Sequence, residues 1–160
     1  MIQPIGNCLS QDENGFIIND FSLDMIDHKW RTVLRIVKNN FVKNLDKNLH
    51  SIYVRGSVAR GLAIEGISDL DMFSLVKPSF SKEKFRWQGA DFQSDIVKNI
   101  KEKYDFVSDV EMIFATYEEY FSDSNLAIIV NTQSILLFGK SIVETLKRYK
   151  ADESMILNYH

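Results

Sequence analysis

Two aspartates two residues apart, Asp69 and Asp71, follow the dipeptide Gly56-Ser57 at a distance of thirteen residues in a chain of 160. On a strand, residues i and i+2 point to the same face with backbones about 6.8 Å apart, so both carboxylates can address one metal centre. Leu70 and Met72 then point the opposite way, into a core. Like charges on one face destabilise a strand unless a cation compensates them, so the pair reads as a cation site. Two magnesium ions roughly 3.5 to 4 Å apart serve in-line phosphoryl displacement, one at the attacking oxygen and one at the leaving group. Gly56-Ser57 complements that chemistry. A glycine between strand and helix leaves backbone N–H groups unobstructed, and the hydroxyl and the helix terminus suit a phosphate. A third acid, Glu111, sits between Val110 and Met112 in a later stretch that alternates acidic and apolar residues. It joins the aspartates if the strands are neighbours. Asp109 shares its expected face and ranks second.

The elements that must position these groups show as patterns. Residues 51–55 are β-branched and aromatic and are stopped by Gly56, which predicts a strand. Residues 57–64 predict a short helix, and 69–76 a second strand that ends before Pro78. A third strand over 106–115 carries Glu111, and a fourth over 135–138 precedes Gly139. Helical spacing runs from a cap at Ser22 through Met25, Ile26, Trp30, Val33, Leu34, Val37, Phe41 and Leu45. It returns at Phe92, Ile96, Val97, Ile100 and Tyr104, and again over 117–131, while 80–89 reads as irregular.

Asn14-Gly15 fits a tight turn within an N-terminal arm or hairpin over residues 1–21. Residues 22–140 form one α/β (α+β) domain, a small mixed β-sheet flanked by helices that pack mainly on one face. Residues 141–160 predict the start of a C-terminal helical segment. Its apolar face at Ile142, Val143, Leu146, Tyr149, Met155 and Ile156 belongs to a truncated helical domain or to a homodimer interface.

At 45% hydrophobic and 12% aromatic content, a chain of this length buries a core as a single domain. Its 22 acidic and 19 basic residues leave a formal charge of −3, so no chain-wide positive field holds nucleic acid. Cys8 is the sole cysteine, which leaves no internal disulfide or cysteine zinc site and fits a reducing, cytoplasmic setting. The longest aliphatic block, 126–130, is too short to cross a bilayer, so no membrane partner is expected. His28, His50 and His160 lack ligand spacing, which disfavours a histidine metal site. Lys82, Lys84 and Arg86 read as a solvated face, with Phe85 and Trp87 as core plugs beside them.

Gly56-Ser57, then Asp69-Leu70-Asp71, then a later strand acid resembles the signature of the DNA polymerase β nucleotidyltransferase superfamily, over residues 25–140. Gly-Ser-Val-Ala-Arg-Gly at 56–61 is similar to the minimal nucleotidyltransferases and the antibiotic adenylyltransferases. The resemblance implies transfer of a nucleoside monophosphate, AMP in the expected case, from ATP or another NTP to a hydroxyl, with two Mg2+ ions. Asp69 and Asp71 would then ligate both ions, and Glu111 would ligate the catalytic one and help to deprotonate the acceptor. Gly56, Ser57 and Arg60 would hold the nucleotide's phosphates. Two departures stand out: Glu111 occupies a place the family often gives to Asp, and Arg55 stands where a less charged residue is expected. A small-molecule acceptor is the first expectation. The alternatives are a partner protein that is bound or AMPylated, as with antitoxin-like minimal forms, and a non-catalytic nucleotide-binding module. The acidic balance disfavours a nucleic-acid acceptor.

Overall fold

A computed structural model describes residues 9–77, 82–122, 124–143 and 147–150. Four strands form one mixed sheet: β1 (Leu49–Val54), β2 (Leu70–Val76), β3 (Val110–Thr116) and β4 (Ile135–Gly139), in the order β3-β2-β1-β4. β1 runs antiparallel to both β2 and β4, whereas β2 and β3 are parallel. A parallel pair needs a long crossover, and the 22-residue helix Lys82–Lys103 provides it. The remaining helices are His28–Leu45, Gly56–Ala59, Tyr117–Ser122 and Ser124–Thr132, so the five are named α1 to α5 in chain order, with Lys82–Lys103 as α3.

Strand alternation divides the apolar residues between two faces. Ile52, Val54, Leu70, Met72 and Val110 join Trp30, Val33, Leu34, Val37 and Phe41 of α1 and Ile96 and Ile100 of α3. Tyr53, Phe73, Leu75 and Ala115 instead meet Tyr120 of α4 and Ala127 and Val130 of α5. Helices therefore cover both faces rather than mainly one. The cause is that Phe73 and Leu75 are as apolar as Leu70 and Met72, and an apolar second face must also leave water. Each fully buried large side chain contributes about 1.5–3 kcal/mol, and α1 alone supplies six buried apolar residues to that total.

The element boundaries differ from the expectation in several places. Ser22 precedes only a 3-10 turn, Leu23–Met25, and its side chain makes no capping bond. α1 is capped by Asp27, whose carboxylate accepts from the Lys29 N–H at 2.9 Å. Burial alone could not separate turn from helix there, because Ile26 is buried like the residues of α1. The helix over 57–64 stops at Ala59, and 117–131 divides into α4 and α5. From Lys82 onward the stretch read as irregular is helical, in keeping with its good helix formers Lys, Glu, Arg and Gln. The side chains of 82–92, including Phe85, Trp87 and the basic cluster, lie outside the described residues.

The described part of 141–160 is not an α-helix. Ile142 is buried against the α4–α5 face, with its N–H donating to the Tyr53 hydroxyl at 3.2 Å. Lys150 bridges antiparallel to Phe16, and the Ile17 N–H donates to the Tyr149 carbonyl at 2.8 Å. Tyr149 and Lys150 thus lie beside the N-terminal arm. Residues 151–160 lie outside the described residues. Within the arm, the Gly15 N–H donates to the Asp12 carbonyl at 3.0 Å and closes the turn at Asn14-Gly15. Among the described residues, no helix is long and apolar enough to cross a membrane.

Candidate active site

The site is built where β1 and β2 end and begin on the edge nearest α2. β1 and β2 pair with Val54 opposite Met72, so the next position sets Arg55 beside Asp71, and the Arg55 N–H donates to the Asp71 carbonyl at 3.0 Å. Gly56 follows with φ +74°, a left-handed backbone that other residues adopt at a cost. A Cβ on Gly56 would lie 2.1 Å from Asp71 Oδ2 and 3.0 Å from its Cγ. Glycine is therefore required here by both backbone and space. The α2 turn opens on Gly56-Ser57, and the first turn of any helix leaves its N–H groups without intrahelical acceptors. Four residues make too short a helix for much macrodipole, so any phosphate affinity there rests on local donors.

β2 and β3 are paired in register with Asp71 opposite Glu111. Parallel pairing thus brings together two acids forty residues apart in sequence. Asp69 stands just ahead of β2 and acts on Asp71 through its charge. Asp109 goes elsewhere. Its carboxylate faces Lys101 of α3 at 3.7 Å and lines a groove of about 430 Å³ with Gln93, Val97 and Met112. Of the two acids, Glu111 and not Asp109 is therefore the one that stands beside Asp71. Ser57 lies half-buried in α2, and Arg60 ends that turn with its N–H donating to the Gly56 carbonyl at 3.3 Å.

Arg55 is the residue whose part the spacing alone did not show. Its Nη2 lies 2.7 Å from Glu111 Oε2 and 3.5 Å from Asp71 Oδ1, with 22% of its side chain exposed. The signal was present in the strand order: a residue one step past Val54 on an antiparallel partner must face Asp71.

Burial and neighbours make Asp71 a poor carboxylate in the absence of a cation. Its carboxyl is pushed up to about 6, first by burial, then by its hydrogen-bonding contact with Glu111, while Arg55 pulls it down and the charges of Asp69 and Glu111 push it up. The unfolded reference is 3.8, so the folded chain binds an extra proton between those values. That stabilisation is complete below 3.8 and is lost as pH rises through about 6. In EDTA, the thermal midpoint should consequently fall between about pH 4 and about pH 7 by more than in Asp71→Asn, read by calorimetry across pH. A wild-type midpoint whose pH dependence matched the variant's would refute the assignment of the shift to Asp71.

The donor set suits a hard divalent cation, being all carboxylate oxygen. Asp71 and Glu111 fit, since they lie close enough to share a hydrogen bond and each gains by a shared cation. Among the described residues, no three His, Cys, Asp or Glu side chains are gathered closely enough to hold a metal as they stand. Asp69, two residues before Asp71, would be the third carboxylate of such a set.

The sequence profile of the family described as "Nucleotidyltransferase domain" matches residues 34–149, more than half of the chain. No curated protein matches the chain significantly. Among solved structures, a spectinomycin adenyltransferase from Enterococcus faecialis, crystallised with ATP and spectinomycin, is similar at TM-score 0.53 and 18% identity. The match covers 72% of this chain and 58% of that one, so the chain spans little more than half of the adenyltransferase's length. A mutant of the toxin-antitoxin MntA-HpeT is similar at TM-score 0.45 and 20% identity, covering 71% of this chain and 78% of that one. A toxin-antitoxin with AMP-PNP follows at TM-score 0.44 and 22% identity, covering 68% and 74%. At such identities these likenesses concern the fold alone. With its mixed four-stranded sheet, the Gly56-Ser57 turn and the matched profile, the chain belongs to the nucleotidyltransferase domain family and has the fold of the DNA polymerase β superfamily.

Proposed function

We propose that the chain transfers a nucleoside monophosphate from an NTP, ATP in the expected case, to a hydroxyl acceptor with the help of Mg2+. The observation that supports this reading is the in-register pairing of Asp71 with Glu111, with Asp71 directly against Gly56. Asp69, Asp71 and Glu111 would hold the ions, and the ions would neutralise phosphate charge and favour the alkoxide form of the acceptor. This chain's own residues do the rest. The first-turn N–H groups of α2 and the Ser57 hydroxyl receive the phosphates, Arg60 supplies a cation at the far end of that turn, and Gly56 leaves room for Asp71. Glu111 is the more exposed acid, at 52%, which suits a group that meets an incoming acceptor.

A small hydroxylated molecule is one class of acceptor; a protein is the other, and one surface observation favours it. Leu62, Ile64 and Ile67, on the connection between α2 and Asp69, are 53%, 58% and 73% exposed. Gly61 sets this connection against the Met25 carbonyl, next to the exposed Leu23 and Met25. An apolar surface beside the site is what a protein-docking region presents.

The test is incubation with each α-labelled NTP and Mg2+, with aminoglycosides in one arm and a cell lysate in the other. Label on a small molecule supports the first acceptor class, and a labelled protein band supports the second. Absence of label from every product, with nucleotide still bound, would leave only a binding module.

A further inference from the structure

We propose that Arg55 is a displaceable internal cation, seated on Asp71 and Glu111 where a divalent ion would bind, so that metal loading requires its guanidinium to leave. The inference rests on the reading of Asp71 and Glu111 as metal-holding residues. Three observations carry it. The Arg55 guanidinium lies 2.7 Å from Glu111 Oε2 and 3.5 Å from Asp71 Oδ1, so one cation contacts the two acids that pair across β2 and β3. Among the described residues, the ion pairs of both acids go to Arg55. The Arg55 backbone is held against β2 by its N–H, which donates to the Asp71 carbonyl at 3.0 Å, so the side chain starts beside the acids, where it is 22% exposed.

Physical chemistry makes the two cations exclusive. A guanidinium is permanently charged and its planar donors suit carboxylates, so it answers the repulsion between Asp71 and Glu111 without any metal. A divalent ion must reach the same oxygens at about 2.0–2.1 Å, which leaves it facing a positive group across a few ångströms unless Arg55 swings out. Arg55 directly precedes Gly56. A guanidinium released there stands beside the Gly56-Ser57 turn, with a free cation for an anionic ligand. Arg55 thus acts as a positioning residue: it keeps the acids gathered before metal arrives and raises the metal concentration needed for loading.

The test compares wild-type chain with Arg55→Gln and Arg55→Lys, measuring Mn2+ binding by electron paramagnetic resonance and thermal midpoints in EDTA and in saturating Mn2+. Arg55→Gln is expected to bind Mn2+ about tenfold more tightly, the scale on which groups supporting a metal's ligands change its affinity. Its midpoint should fall in EDTA and recover in Mn2+, because the metal replaces the lost charge. Arg55→Lys, which keeps charge on a more hydrated and less planar head, should fall between the two; it decides the matter if the glutamine variant does not fold. Equal or weaker Mn2+ binding by the variants, with wild type binding normally, overturns the role of Arg55 and leaves the transferase reading standing. Failure of every protein to bind Mn2+ overturns both.

Discussion

Asp71→Asn is expected to lower nucleotide transfer by about three orders of magnitude or more, the equivalent of the several kcal/mol that metal charge stabilisation contributes. The fold should survive. Asp71 is 85% buried at its side chain, being 15% exposed, and its carboxyl already favours the protonated, neutral form below about pH 6. An amide of the same shape meets that preference and still reaches Glu111. The midpoint in EDTA at pH 8 should therefore equal or exceed that of wild type, whereas the stabilisation by Mg2+ should disappear. Transfer assays and paired melting curves with and without Mg2+ read both effects. Asp109→Asn is the matched control, since its carboxylate faces Lys101 on the α3 side and should leave transfer unchanged. Normal transfer by Asp71→Asn would sink the assignment of the site.

Gly56→Ala is expected to cost more than any other single methyl group added to this chain near the site. The backbone strain of φ +74° is about 1–2 kcal/mol for a residue with a Cβ. The new Cβ also meets Asp71 Oδ2 at 2.1 Å, so either the α2 turn or the carboxylate must move. Displacing a reacting group by about an ångström costs about a hundredfold in rate, and a loss of that size or greater is expected in transfer. Gly66→Ala separates strain from collision, because Gly66 has φ +71° and nothing within 4 Å of an added Cβ. Gly66→Ala should lower the melting midpoint by a few degrees, at about 2–4 °C per kcal/mol for a chain of this size, and keep its transfer activity. Equal activities for the two alanine variants would show that the room left for Asp71 is irrelevant.

The segments that carry the family resemblance were legible without coordinates. Period-two alternation around Leu70 and Met72 places Asp69 and Asp71 on one side of a strand, and Gly56 at a strand end marks the turn. The four strands emerged within a few residues of their positions, because β-branched and aromatic runs bounded by glycine or charge are a local signal. The helix boundaries were less legible at Ser22 and over 82–89, and the apolar spacing after Ser141 gave no sign that Lys150 bridges to Phe16. Apolar spacing is a local signal, whereas the bridge of Lys150 to Phe16 joins distant parts of the chain.

What the sequence by itself determined, then, is the family, through Gly56-Ser57 and Asp69-Leu70-Asp71, the segments that carry its resemblance. Only the tertiary structure decided that Glu111 rather than Asp109 meets Asp71, and that Arg55 contacts both. Periodicity assigns a residue to a face but does not name the strand beside it, and the parallel β2–β3 register depends on a crossover helix and a shared core far along the chain. Charge follows the same logic. Asp71 carries an ordinary aspartate's sequence, and its reluctance to ionise arises from burial and from neighbours that only the fold supplies.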